Sequence, residues 1–321
     1  MQNKSISIII PNFNGIEHLK ICLPSIALQT NRQYHTIVVD NGSTDGSTAF
    51  IKSNFPDTQI ISLDKNTGFA HAVNEGIKFS IGQFNDPYIL LLNNDIELTN
   101  DFLELAVRCF EESPEADILA VKMMNFYERN KIDDTGNFLT RKGGTPYPRG
   151  NGQIDEGQFD SREYIFSACA GAAFYKSVIF KDAGLFDEDF FAYIEDIDLG
   201  FRAQLLGFKC LYEPKAVCYH KRGGSSISTL KFQLRMNERN IIWTRLKNYP
   251  LSLYIKYQPR FMLARLNKFY LIFRNYGLGT LLSAIYGYVE GILKMPLQVK
   301  KRSHIQSGRK VPVNYITSLF R

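Results

Sequence analysis

Four short apolar runs constrain this chain most: Ile6–Ile10, Thr36–Val39, Ile60–Leu63 and Tyr88–Leu92. Each stops abruptly at polar residues and gives way to a helical pattern. Runs this short, rich in β-branched and aliphatic residues and bounded by turns, read as buried strands. Between and after them, Ile16–Gln29, Ser47–Asn54, Phe69–Ser80 and Asp101–Glu112 read as helices, with Pro24 expected to kink or split the first. Such alternation predicts an α/β domain built on a parallel sheet, with ligands bound near the carboxyl ends of the strands. A Gly-rich polar stretch, Arg141–Gly157, interrupts the pattern and reads as a surface loop or as a lid on the acceptor side. A second section follows: Gly171–Tyr175, Tyr193–Leu206 and Lys209–His220.

The polar residues that close the strands are the ones placed to do chemistry. Asp40, just past the second strand, can accept hydrogen bonds from a nucleobase or ribose, or belong only to a capped turn with Asp45. Gly68 opens a helix, where it either brings backbone close to a phosphate or serves a cap. The fourth strand ends in Asn93-Asn94-Asp95, and a carboxylate there suits a hard divalent cation bridging a diphosphate. Glu195, Asp196 and Asp198 open a helix, with Arg202 four residues after Asp198. For Asp198 an ion pair along the helix explains the spacing. For Asp196 the sharper reading is a general base toward an acceptor hydroxyl. His220 closes a strand before a Gly-Gly-Ser-Ser turn, as a structural histidine or a metal ligand.

Charge divides the chain. From Leu230 to Arg321 there are 17 Lys/Arg against two acids, Glu238 and Glu290, giving +15, whereas residues 1–229 carry −9. An acidic body with a basic, aromatic and helical tail argues against a nucleic-acid binder and for a tail that meets an anionic surface. The 15 uncharged residues between Arg274 and Glu290 fall short of the roughly 18 of a spanning helix. Basic helices with apolar faces suit the interfacial plane of an anionic membrane, or else form a helical subdomain or an oligomer interface. Five cysteines without a C-x-x-C pair, and no leader-like segment, point to a reducing cytoplasmic setting.

Taken in order, Pro11–Gly15, Val38–Ser47, Asn66–Ala70, Leu90–Asp95, Gly171-Ala-Ala, Phe186-Asp-Glu, Tyr193–Leu199 and His220 resemble the family-2 inverting glycosyltransferases of the GT-A fold. They look most like bacterial rhamnosyltransferase-type enzymes of polysaccharide and O-antigen assembly. The resemblance covers residues 5–225. It implies a Rossmann-like mixed sheet flanked by helices over residues 1–228, with a nucleotide-sugar half (1–98) and an acceptor half (99–228), followed by a basic helical region (229–321). It implies that Pro11, Phe13, Asn14, Asp40 and Asn41 hold the nucleobase side, and that Asn66, Gly68, Asn93 and Asn94 line the nucleotide pocket. Asp95 and His220 would hold Mn²⁺ or Mg²⁺, and Asp196 would be the catalytic base, supported by Glu195 and Asp198. The family's D-x-D begins with Asp, and here that position is Asn93, which leaves Asp95 the motif's one carboxylate.

The reaction so implied is transfer from a nucleoside-diphosphate sugar to a glycan or polyprenyl-diphosphate-linked acceptor, at the inner face of the plasma membrane. dTDP-rhamnose is the first expectation for the donor and UDP-hexoses the alternative. A non-catalytic sugar-nucleotide-binding scaffold and a nucleotidyltransferase are the rival readings. The first draws on Asn93; the second lacks a cationic glycine-rich loop after the first strand.

Overall fold

The computed structural model describes residues 4–140, 145–222 and 227–321. Its first half alternates strictly: β1 (Ile6–Asn12), α1 (Ile16–Ala27), β2 (Tyr34–Asp40), α2 (Ser47–Asn54), β3 (Gln59–Ser62), α3 (Phe69–Gln83) and β4 (Tyr88–Leu92). β1 pairs in parallel with both β2 and β4, and β2 with β3. The strand order β4-β1-β2-β3 reverses direction at β1, so the carboxyl ends of β1 and β4 open a crevice between them. In open α/β sheets this is where ligands bind.

Pro24 does not split α1, which runs unbroken from Ile16 to Ala27. The proline lies on the exposed face, and the carbonyl it cannot pair belongs to exposed Lys20, where water can serve it.

The second half turns the sheet mixed rather than purely parallel. After β5 (Ile96–Leu98) and α4 (Phe102–Glu112) come β6 (Ile118–Asn125), β7 (Ile132–Asp134), β8 (Asn137–Leu139), β9 (Pro146–Pro148), β10 (Glu163–Ile165) and β11 (Ala172–Lys176). β11 runs antiparallel between β4 and β6. α5 (Val178–Asp182), α6 (Glu195–Leu206) and β12 (Cys210–His220) complete this half, with β12 parallel to β6. The sequence reading contains no strand at 118–125, although β6 is central. Lys122 interrupts its apolar run, and the fold accommodates that lysine by pairing it with Asp155 at 2.7 Å and Asp160 at 2.6 Å. Within the stretch expected to be a loop or lid, β9 pairs with β8 as a small ribbon, while residues 141–144 lie outside the described residues, as does the expected 223–226 turn.

Side chains alternate across the sheet as strand geometry requires. Ile6, Ile8 and Ile10 pack with α1 and α4 on one face, and Ile9 packs with α3 and α6 on the other. Five further helices follow: α7 (Ile227–Asn248), α8 (Leu251–Tyr276), α9 (Leu278–Leu293), α10 (Met295–Ser307) and α11 (Val313–Ser318). They do not hang free. Tyr249, Leu253, Tyr257, Ile316 and Phe320 share a core with Phe166, Ile197, Phe201 and Leu205 of the α/β body. Arg321 N donates to Leu139 O at 2.7 Å, which brings the last residue back to β8. Among the described residues no helix is long and apolar enough to cross a membrane.

Candidate active site

A cleft of about 480 Å³ opens at the crevice between β1 and β4. Pro11, Phe13, Asn14, Asn41, Asn66, Gly68, Asn93, Asn94 and Asp95, all picked out from sequence, line it. Its volume lies in the range of small-ligand sites. The turns that carry these residues are stitched by amide side chains. Asn94 Nδ2 donates to Asn12 Oδ1 at 2.8 Å, and Asn12 Nδ2 donates to Asp40 Oδ1 at 3.2 Å. Asp40 is buried behind the wall, and its other oxygen accepts from Ser43 N at 3.2 Å. Asn41 is also buried. Its Oδ1 accepts from Thr67 N and Oγ1, and its Nδ2 donates to Gly68 O and Asn66 Oδ1, so its amide joins β2 to the 66–68 turn. Asp45 ties two helix starts together, accepting from Ile16 N at 2.9 Å and Ser47 N at 3.0 Å. Partial burial pushes its carboxyl up, but these bonds and that of the Ser47 hydroxyl outweigh it and hold the group below its usual range.

Gly68 does not present its helix start to a phosphate. It sits at φ +89°, and a Cβ there would lie 2.5 Å from Phe191 O. That carbonyl accepts from Phe69 N at 2.7 Å and Ala70 N at 3.3 Å, so the first two N–H groups of α3 are capped by the 190–194 turn. The glycine is required for close approach of the protein's own backbone.

The turn is unusual in its own right. Phe191, Tyr193 and Ile194, none of them glycine, adopt φ of +63°, +69° and +72°. Such conformations cost about 1–3 kcal/mol each and persist only where the surroundings impose them. Phe191, Ala192 and Tyr193 line the cleft, joined by Phe232 of α7. Sequence reasoning does not pick out Phe191, Ala192, Phe232 or His18, and reads Tyr193 only as the start of the Tyr193–Leu199 motif. Positive φ at aromatic residues leaves no compositional mark, and Phe232 is more than 130 residues along the chain from β4.

Glu195 and Asp196 follow this turn directly. Asp196 Oδ2 accepts from Ala170 N at 3.2 Å, and the adjoining Gly171 O accepts from Asn93 N at 2.7 Å. One short backbone link therefore joins the helix carrying Asp196 to the strand end carrying Asp95. Burial pushes the Asp196 carboxyl up from its ordinary value, against the pull of backbone N–H groups from Ala170 and Ile197. Glu195 is pushed up to about 8 by burial and then by the neighbouring Asp196 charge. Its Oε2 is buried with no hydrogen-bond partner among the described residues. Asp198 faces away into protein. It pairs with Arg202 at 3.0 Å and Lys247 at 2.9 Å, and accepts from Asn248 at 2.7 Å, so the ion-pair reading of its spacing describes its surroundings.

His220 lies between two carboxylates. Its Nε2 is 3.3 Å from Asp95 Oδ1 and its Nδ1 is 2.7 Å from Asp133 Oδ2. Burial lowers the imidazole's affinity for a proton, but the bonds to Asp133 and Asp95 outweigh it and push the group up to about 9. The pocket between the acids thus favours positive charge. Two ligands at right angles on an ion 2.0–2.1 Å from each lie about 3 Å apart, close to the Asp95–His220 separation. The Asp133 bond to the far ring nitrogen is the outer partner that metal-bound histidines use. Asp95 and His220 are thus close enough to meet one divalent cation, while among the described residues no three or more His, Cys, Asp or Glu side chains are grouped to hold one. Asp133, missed from sequence, sits in β7.

Comparison with known proteins agrees with this geometry. The family model "Glycosyl transferase family 2" matches residues 7–183, more than half of the 321-residue chain. A poly-beta-1,6-N-acetyl-D-glucosamine synthase from Staphylococcus epidermidis is 26% identical over 264 residues, which cover 79% of this chain and 60% of the synthase. An N-acetylglucosaminyl-diphospho-decaprenol L-rhamnosyltransferase from Mycobacterium tuberculosis is 24% identical over 231 residues, covering 65% of this chain and 73% of the relative. Among solved structures, S. aureus TarS 1-349 in complex with UDP-GlcNAc superposes with a TM-score of 0.59 at 19% identity, covering 98% of this chain and 90% of that one. GalNAc-T7 with UDP, GalNAc and Mn2+ gives 0.55 at 15% identity, over 77% of this chain and 50% of that one. These likenesses establish the GT-A arrangement of the sheet. Cleft, sheet order and family match agree: the chain belongs to glycosyl transferase family 2.

Proposed function

We propose that the protein is an inverting glycosyltransferase that moves a sugar from a nucleoside-diphosphate sugar to a hydroxyl of a glycan or lipid-linked acceptor in cell-surface polysaccharide synthesis. The observation that supports this reading is the Ala170–Gly171 segment: Asp196 Oδ2 accepts from Ala170 N at 3.2 Å and Gly171 O accepts from Asn93 N at 2.7 Å. In this reading residues 1–228 form the catalytic body and residues 229–321 a basic helical region at the membrane, which lends Phe232 to the cleft.

The acceptor oxygen attacks the anomeric carbon from the face opposite the diphosphate. The new C–O bond forms as the bond to the diphosphate oxygen breaks, and configuration inverts. Asp196 takes the acceptor proton, and its raised proton affinity makes it a better base than an exposed aspartate. Phe13, 46% exposed in the cleft, offers a face for the nucleobase. Asp40 sets the turn behind it through Asn12 and Ser43. When bound, a Mn²⁺ or Mg²⁺ ion held by Asp95 and His220 supplies positive charge to the departing diphosphate.

For the donor, dTDP-rhamnose and a UDP-linked sugar such as UDP-N-acetylglucosamine are the two readings. The mycobacterial relative's name supports the first, and the staphylococcal synthase's name supports the second. The lipid-linked acceptor places the enzyme on an anionic membrane, and the exposed apolar residues of α8 and α9 support that location.

The test is a screen of dTDP-, UDP- and GDP-sugars for nucleoside-diphosphate release, with membrane lipid extract as acceptor source and Mn²⁺, Mg²⁺ or EDTA. Release from one donor class, abolished by EDTA, is expected. Asp196→Asn should lower turnover at least 10³-fold while dTDP or UDP still binds. Near-normal turnover of that variant would remove Asp196 as the base.

A further inference from the structure

The strained turn before Asp196 is held in place by a helix from the far end of the chain. Asn240 of α7 is fully buried. Its Nδ2 lies 3.1 Å from Phe190 O, 2.9 Å from Ala192 O and 2.7 Å from Tyr193 O, so two amide protons are shared among three carbonyls. Arg239 Nε donates to Asn240 Oδ1 at 2.9 Å. That bond fixes the amide's orientation, because flipping it would turn Oδ1 against three carbonyl oxygens and Nδ2 against a guanidinium. Arg239 Nη2 also donates to Phe190 O at 2.8 Å and Asp189 O at 3.2 Å, and Arg239 is itself steadied by Glu290 at 3.4 Å. On the opposite side Phe191 O is taken by the N–H groups of Phe69 and Ala70. Every carbonyl from Asp189 to Tyr193 thus has a donor from α7 or α3. Three non-glycine residues at positive φ keep that conformation only under such clamping.

We propose that Asn240, oriented by Arg239, is a positioning residue for catalysis. It clamps the 190–194 turn and thereby sets the direction in which Asp196 leaves that turn. The C-terminal helices are on this view part of the catalytic unit. The inference rests on the assignment of Asp196 as the base.

The test compares Asn240→Asp, Asn240→Ser and a control, Arg235→Gln, in the full chain. Arg235 pairs with the same Glu290 but does not touch the turn. Turnover at saturating dTDP-rhamnose or UDP-N-acetylglucosamine is expressed per nucleotide-binding site, counted by calorimetric titration with dTDP or UDP. Amide exchange of residues 189–196 is followed on the same samples. Both Asn240 variants are expected to lose at least 30-fold in kcat per competent site, with nucleotide Kd within threefold of the parent and at least tenfold faster exchange confined to 189–196. Arg235→Gln should change none of these. A variant that merely folds poorly loses competent sites, not kcat per site. Unchanged kcat per site, or exchange of 189–196 as slow as in the parent, would overturn the proposal even if Asp196→Asn is inactive. If Asp196→Asn keeps its turnover, the base assignment itself fails first.

Discussion

At the scale of single residues, the candidate site is held in shape by buried groups outside the cleft lining. Asp133 is the clearest case. It is 4% exposed, bonds His220 Nδ1 at 2.7 Å and takes Arg222 Nε at 2.7 Å on its other oxygen. A carboxylate in that position fixes which imidazole nitrogen faces Asp95 and makes it more basic. Asp133→Asn should therefore weaken Mn²⁺ binding 10–100-fold, read as the Mn²⁺ concentration that half-saturates nucleotide release. A half-saturation point that does not move would place the histidine's orientation under other control. Gly68 and Asn41, which line the cleft, also shape it through backbone, one by leaving room for Phe191 O and the other by holding the 66–68 turn.

Between elements, buried ion pairs join the C-terminal helices to the loop ahead of α6. Asp187 pairs with Lys247 of α7 at 2.5 Å and with Lys301 of α10 at 2.5 Å, and Lys247 is 1% exposed. Burial alone would raise the Asp187 carboxyl, but the lysine charges and their hydrogen bonds outweigh it and bring the group down to about 2. A group depressed in the folded state stabilises the fold above its unfolded pKa of about 3.9, and that contribution is lost as pH falls toward 2. Asp187→Asn should thus cost about 2–3 kcal/mol at pH 7, with the gap to the parent closing between pH 4 and pH 2 in denaturant titrations. A deficit that stays constant down to pH 2 would show that packing, not charge, joins these elements.

The whole molecule shows an asymmetric surface. Glu238 and Glu290, the only acids after Leu230, are both buried and paired, Glu238 with Arg265 and Lys268 and Glu290 with Arg235, Arg239 and Lys294. α8 and α9 meanwhile expose Leu263 at 66%, Leu266 at 64%, Tyr270 at 60% and Leu282 at 55%, beside exposed Lys256, Arg260 and Arg274. Apolar side chains flanked by exposed cations match an anionic lipid interface. Each basic residue near such a surface is worth about 1 kcal/mol, so Lys256→Gln with Arg260→Gln should weaken binding to phosphatidylglycerol vesicles by about 2 kcal/mol. Flotation would measure this, with phosphatidylcholine vesicles as the uncharged comparison. Equal flotation of parent and variant on both vesicle types would refute an electrostatic membrane contact.

The sequence by itself determined the strand-and-helix alternation of the first half, because short apolar runs and turn residues are local signals read over a few positions. It also placed most of the cleft lining, since strand ends in such a sheet must converge where the order reverses. It did not disclose β6, whose apolar run is broken by a lysine that only distant aspartates neutralise. Nor did it disclose the positive-φ turn, the Asp133 partner of His220, or the reach of α7 across the cleft. Many of the tail's basic residues read as a solvent or membrane face, yet Lys247, Arg239 and Lys301 are spent on the loop before α6. Contacts between residues 33 to 114 positions apart leave no periodicity in a chain. Tertiary packing decided them, because strain and buried charge are tolerated only where distant groups converge to satisfy them.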